Sequence, residues 1–152
     1  METKTMKIDV PNGYEIDQEK STFENIVLKK VDEAIITWNK NYKGVEIKSG
    51  GEHFILDGNP DYYMLWDDAK RFYNNQQFWN LPTINQLKVV QKNFDKINNV
   101  IKKNGGFVIS KTDYWTIEEY YWTCALYVHM YYGMINFNRK NSKKYVRAVS
   151  TL

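Results

Sequence analysis

The sequence predicts an α+β fold, with two helices packed on an antiparallel sheet. Three observations predict it. Apolar residues recur at spacings of three and four from Ile84 to Ile101, the period of a buried helical stripe. From Phe107 onward, short runs of β-formers are separated by Gly133 and by the polar stretch "NFNRKNSKK". Between these and the N-terminus, "VEIKSGGEHFILDG" sets two apolar arms around Ser49-Gly50-Gly51, a hairpin signal.

In chain order, "MKIDVPNGYEI" and "STFENIVLKKV" read as short strands, split by Pro11-Asn12-Gly13 and the polar 17–21 stretch. "AIITWNKNY" is ambiguous, with Thr37 able to start a helical turn. After the hairpin, Asn59-Pro60 has the form of an N-cap followed by proline at the first helical position, which predicts a helix over 60–74. A second helix is expected over 83–103. Thr83 and Gln86 have capping-box spacing, Lys102 and Lys103 suit the negative C-terminal end of the dipole, and Gly105-Gly106 stop it. "GFVIS", "ALYVHMYYG", "GMINF" and "KYVRAVS" are expected strands, those over 125–132 and 144–149 being antiparallel neighbours. "KTDYWTIEEYYW" lacks a period and is expected to be an irregular loop.

The 152 residues fit one domain, with 1–58 as N-terminal strands and hairpin and 59–152 as the main core. A net charge of +3 with no Lys/Arg block gives no basis for a nucleic-acid partner. Cys124 is the sole cysteine, which excludes an internal disulfide and a cysteine zinc site. His53 and His129 are too few for a histidine cluster, so no metal or other cofactor is expected. The N-terminal stretch has no long apolar run, so neither a signal peptide nor membrane insertion is expected. Glu118-Glu119 reads as solvated or paired to a scaffold arginine rather than as a catalytic couple, and no enzyme activity is expected. Arg147 stands in the apolar strand "YVRAVS", where a buried guanidinium requires a carboxylate, and Glu119 is the expected partner.

The C-terminal stretch from Tyr120 to Leu152 is dense in tyrosine, with His129, Asn136, Asn138 and Arg139 among them. Such residues recur on recognition surfaces, whereas cores favour Leu, Ile and Val. With Val128, Met130 and Ile135 inward, Tyr127, His129, Tyr131 and Asn136 face outward, with Asn138 and Arg139 near the turn. Two readings stand: an exposed ribbon held by cross-strand tyrosine pairs, or an exposed patch that binds a ligand.

"FWNLPTINQLKVV", then "YWTIEEY", then A-x-x-V-x-M-x-x-G and "KKYVRAVS" resemble the C-terminal domain family of the Legionella collagen-like adhesin. The resemblance covers roughly 62–150. It implies a C-type lectin-like fold in the formylglycine-generating-enzyme branch, with 59–152 as the lectin-like core and 114–145 as a variable ribbon. Trp79, Leu81, Pro82, Thr83, Trp115, Glu119, Ala125, Val128, Gly133, Lys140, Val146 and Arg147 fall on scaffold positions of the pattern. Asn80 and Gln86 replace its usual Arg and Glu, and Leu126 its usual Trp.

The ribbon is also similar to those of variable proteins of diversity-generating retroelements, whose exposed positions are mutated at adenines of Asn-type codons. Tyr121, Cys124, Leu126, Tyr127, His129, Tyr131, Tyr132, Asn136, Phe137, Asn138, Arg139 and Asn141 all belong to the set such codons can reach. Apart from Cys124, which reads as a tolerated small residue, these are the expected ligand-binding residues. The resemblance implies a receptor-binding adhesin, hypervariable at its ligand-binding face, that recognises a host-surface protein or glycan. It would stand in a phage tail, and so in the virion, if phage-encoded, as a homotrimer or attached to a tail structure. The competing reading is a structural virion or protein-interaction module. Calcium-dependent sugar binding would need a Glu-Pro-Asn or Gln-Pro-Asp triplet, and neither occurs.

Overall fold

The computed structural model describes residues 7–30 and 33–151. Met6 and Val31, at the ends of the first two expected strands, lie outside them. The chain divides into two compact units, Met1–Glu33 and Ala34–Leu152. In the first, β1 (Tyr14–Ile16) pairs antiparallel with β2 (Leu28–Lys30), each strand three residues long. Asp17 organises the turn after β1, its carboxylate accepting the amides of Glu19 and Lys20.

The second unit begins with a meander of β3 (Ile35–Asn39), β4 (Gly44–Ser49) and β5 (Glu52–Asp57). Ser49 lies opposite Glu52, which leaves Gly50-Gly51 as a two-residue turn with φ of 55° and 83°. Positive φ at both central residues is what a type I′ hairpin demands. The ambiguous segment is thus strand β3. Next come β6 (Tyr62–Leu65), α1 (Trp66–Asn74), α2 (Ile84–Lys92) and α3 (Phe94–Lys103). The C-terminal part adds β7 (Asp113–Tyr121), β8 (Cys124–His129), β9 (Ile135–Arg139), β10 (Lys143–Val146) and β11 (Val149–Ser150). One sheet has the order β11-β5-β4-β3 and the other β6-β10-β7-β8-β9.

The α+β class holds, but with three helices among the described residues, and the elements differ from expectation in four places. The helix expected from residue 60 starts only at Trp66, and Tyr62–Leu65 pairs with β10 instead. Asn59 donates to Asp57 rather than capping a helix, and Asp61 is held by Arg147. The helix expected over 83–103 is broken at Asn93, whose side chain donates to the Val89 carbonyl at 2.9 Å and competes with the helical ladder. Its capping box is present, with Thr83 and Gln86 exchanging both bonds. Phe107–Ser110, expected as a strand, carries no strand. The expected loop 111–122 contains β7, the central strand of its sheet.

That centrality explains why β7 shows no alternation. Tyr114 faces a core shared by both sheets, where Leu87, Val90, Ile97 and Ile101 of the helices meet Val45, Ile47, Phe54 and Val128. Trp115 faces a second core beneath α1, with Trp66, Ala69, Ala125 and Val146. A strand buried on both faces has no polar side to show. It also separates β8 from β10, which are therefore not neighbours: β10 pairs with β7 in parallel.

Candidate recognition surface

The β7–β8–β9 ribbon is a rigid base. Ala125 lies opposite Asn138, Tyr127 opposite Asn136 and Val128 opposite Ile135, with β7 on the other side of β8. Side chains alternate across the sheet, so Ala125, Tyr127 and His129 share one face with Asn136 and Asn138. Leu126 and Val128 share the other with Ile135, Phe137 and Arg139. Arg139 therefore does not join Tyr127, His129, Asn136 and Asn138 on one contiguous face, because it follows Asn138 in a paired strand rather than sitting in a turn. Ile135, expected inward, is 41% exposed on β9, the edge strand of its sheet. Val128 and Met130 are buried as expected, and the scaffold residue Val146 is buried too.

On the first face Tyr127 is only half-buried and has a structural task. Its ring packs edge-on to Trp115, and the Lys144 ammonium sits 3.8 Å from its centroid. Lys144 is almost fully buried and is also paired to Asp113 at 3.3 Å. A buried lysine needs such partners, and this one is held by a π face and a carboxylate. Burial pushes the Tyr127 hydroxyl above the usual phenol value, with the Asp113 charge adding to it. Period-two alternation with Val146, two residues on in "NSKKYV", is the signal that places Lys144 inward.

His129 ends β8 and shapes the following turn. Its Nδ1 accepts the amides of Tyr131 and Tyr132 at 3.3 Å each, while Nε2 lies 4.0 Å from Asp113. The turn projects Tyr131 and Tyr132, 52% and 70% exposed, packed edge to face. Lys111 covers one side of Tyr131.

Asn136 and Asn138 also act on their own strand. His129 and Lys140 bond across to Met134 and Thr123, which sets the ladder so that Phe137 and Arg139 aim their amides at the open edge. Those two amides are taken by the side-chain oxygens of Asn136 and Asn138, at 2.8 and 2.7 Å. The edge strand is thereby partly self-capped.

At the opposite end of β8, ~20 Å away by strand rise, Tyr120, Tyr121 and Trp122 are exposed, and Tyr120 stacks on Phe137 at 4.3 Å. Beside Trp122 lies a recess of about 530 Å³ that brings together Arg139, Lys140 and Asn141. Lys140 is fixed there by Glu119 at 3.3 Å, by the Trp122 carbonyl at 2.9 Å and by the Trp66 ring. The expected binding residues thus divide into a face with an aromatic end (Tyr127, His129, Tyr131, Tyr132, Asn136, Asn138), a reverse face (Leu126, Phe137, Arg139) and a hairpin tip (Tyr121, Asn141).

The scaffold residues resolve differently from expectation. Arg147 is buried, but its carboxylate is Asp61, 2.6 Å from Nε, and Glu119 belongs to Lys140. The carbonyls of Asp57, Phe107 and Val108 take three of its four remaining donors. Glu118 is neither free nor paired to arginine: both its oxygens accept the Ile84 amide at the start of α2, where the helix dipole favours a carboxylate. Cys124 is half-buried beside Thr123.

No cluster of three or more His, Cys, Asp or Glu residues suited to a metal occurs among the described residues, and none of their helices is long and apolar enough to cross a membrane. A scan against protein-family models and a search of curated proteins return no match to this chain.

Proposed function

We propose that this chain is a ligand-binding module that presents its β7–β8–β9 ribbon to a protein or glycan on another cell's surface. One observation carries the proposal: Tyr121 at the end of β7, and Trp122, Tyr131 and Tyr132 in the turns after β7 and β8, are each more than half exposed on a paired three-stranded base. Rigid aromatic area with few rotatable bonds binds at low entropic cost, and the apolar surface left in water has no packing purpose. The resemblance to lectin-like variable proteins of retroelements supports an adhesin diversified at Tyr121, Tyr131 and Tyr132, with Trp122 fixed, in a phage tail if phage-encoded and without enzymatic activity. In that reading Tyr131, Tyr132, Tyr121, Asn141 and Arg139 contact ligand, and Tyr127 belongs to the frame.

The test is binding of the labelled chain to intact bacteria and to a glycan array, with Trp122, Tyr131 and Tyr132 changed together to serine. Loss of cell binding with an unchanged melting temperature is expected. A variant that binds cells as the wild type does, or a wild type that binds no cell and no glycan, refutes the proposal. A protein-interaction module is the second reading, favoured by the Tyr120–Phe137 stack and exposed Ile135 on the reverse face. It predicts self-association lost on Phe137→Ser.

A further inference from the structure

Between the end of α1, the start of α2, β11 and Ile117 of β7 lies a cavity of about 410 Å³, whose lining includes none of the expected binding residues of the ribbon. Its size is within the ordinary range of small-ligand sites, roughly 300–1,000 Å³. Amides and aromatics form its wall, among them Gln76, Gln77, Asn80, Gln86, Tyr73 and Trp79. None of its lining residues is charged, although charged residues make up 26% of the chain.

Two of these side chains are more than nine-tenths buried and hold donors with no partner among the described residues. Gln86 is 4% exposed, and its Oε1 accepts the Thr83 amide at 2.8 Å. The capping box fixes that orientation and leaves Nε2 turned away, without a partner among the described residues. No fully buried side-chain nitrogen or oxygen there is unpaired, so Nε2 must open on the cavity that Gln86 lines. Tyr73 is equally buried, and its hydroxyl also lacks a partner among the described residues. It stands on the wall between this cavity and a neighbouring one of about 310 Å³.

We propose that this cavity binds a neutral sugar ring of a glycan. A pyranose presents an apolar C–H face, which Trp79 can receive, and a rim of hydroxyls that both donate and accept. Amide side chains match that rim because each carries both functions. A phosphate or sugar acid would leave its charge desolvated against neutral walls.

The test is an NMR titration of the full chain with chitotriose, maltotriose and cellotriose, with sialyllactose as the charged probe. At least one neutral trisaccharide is expected to shift the Gln86 side-chain amide and Trp79 indole signals saturably. Gln86→Glu keeps a capping-box acceptor but replaces the donor, and should weaken binding about tenfold. Gln76→Ala/Gln77→Ala, at exposed positions, should preserve the fold and weaken binding severalfold. Tyr131→Ser/Tyr132→Ser should bind the sugar as the wild type does, which separates this site from the ribbon surface. The proposal is overturned if no neutral trisaccharide shifts those signals, if the shifts centre on Tyr131 and Tyr132, or if sialyllactose binds as tightly. Wild-type affinity in the Gln76/Gln77 variant also overturns it, whether or not Gln86→Glu folds.

Discussion

Asp61→Asn isolates the buried charge pair that joins the start of β6 to the stretch between β10 and β11. Arg147 is 3% exposed, and Asp61 is its only carboxylate among the described residues, at 2.6 Å from Nε. The second oxygen of Asp61 accepts the Tyr114 hydroxyl at 2.5 Å, so the residue is held from both sides. The asparagine keeps the shape but leaves the guanidinium with carbonyls alone. Removing one partner of a buried pair costs about 3–5 kcal/mol, because the surviving charge is desolvated without compensation. For a unit of roughly 120 residues the unfolding entropy is about 0.25 kcal/mol/K, so the midpoint should fall about 12–20 °C. Calorimetry on Asp61→Asn, Arg147→Met and the double variant gives the measurement. The double variant should lose less than the sum of the singles, since neither charge is then stranded. A shift below about 4 °C in Asp61→Asn, close to 1 kcal/mol, refutes the reasoning.

Tyr127→Ala should destabilise by about 2 kcal/mol, roughly half the cost of truncating a fully buried aromatic, while Tyr132→Ala stays within about 0.5 kcal/mol; equal effects in urea melts would overturn the division of the face into frame and contact residues. Asn136→Val/Asn138→Val uncovers two edge amides and should promote self-association in size-exclusion chromatography, whereas a strictly monomeric variant would deny the capping role. Burial pushes the Tyr73 and Tyr114 hydroxyls well above the usual phenol value, with Asp57 adding to the effect at Tyr73 and Asp61 at Tyr114. A raised folded value means that the stability they contribute is complete below about pH 10 and declines as pH rises above it. Phenolate absorbance should show both ionising only with alkaline unfolding; their titration in the folded chain at the ordinary value would contradict this.

Where a few neighbouring residues decide the conformation, the sequence was sufficient. The Gly50-Gly51 turn, the Thr83–Gln86 capping box and the stripe from Ile84 to Ile101 depend on contacts within a few residues, and each is where its pattern predicts. The alternation that buries Val128 and Met130 and leaves Tyr131 exposed was legible for the same reason. Long-range partners decided the rest. Asp61 and the pairing with β10 make Tyr62–Leu65 a strand despite an N-terminal helix signal in Asn59-Pro60. β7 became visible only through its neighbours: Thr116 donates to the Leu126 carbonyl and Glu118 caps α2, which makes two polar residues compatible with a central strand. The partner of Arg147 is separated from it by 86 residues, and several carboxylates could have met the same chemical demand. Sequence specifies that a buried charge needs a partner; only the folded chain, by bringing one carboxylate within hydrogen-bond distance and others to different cations, decides which.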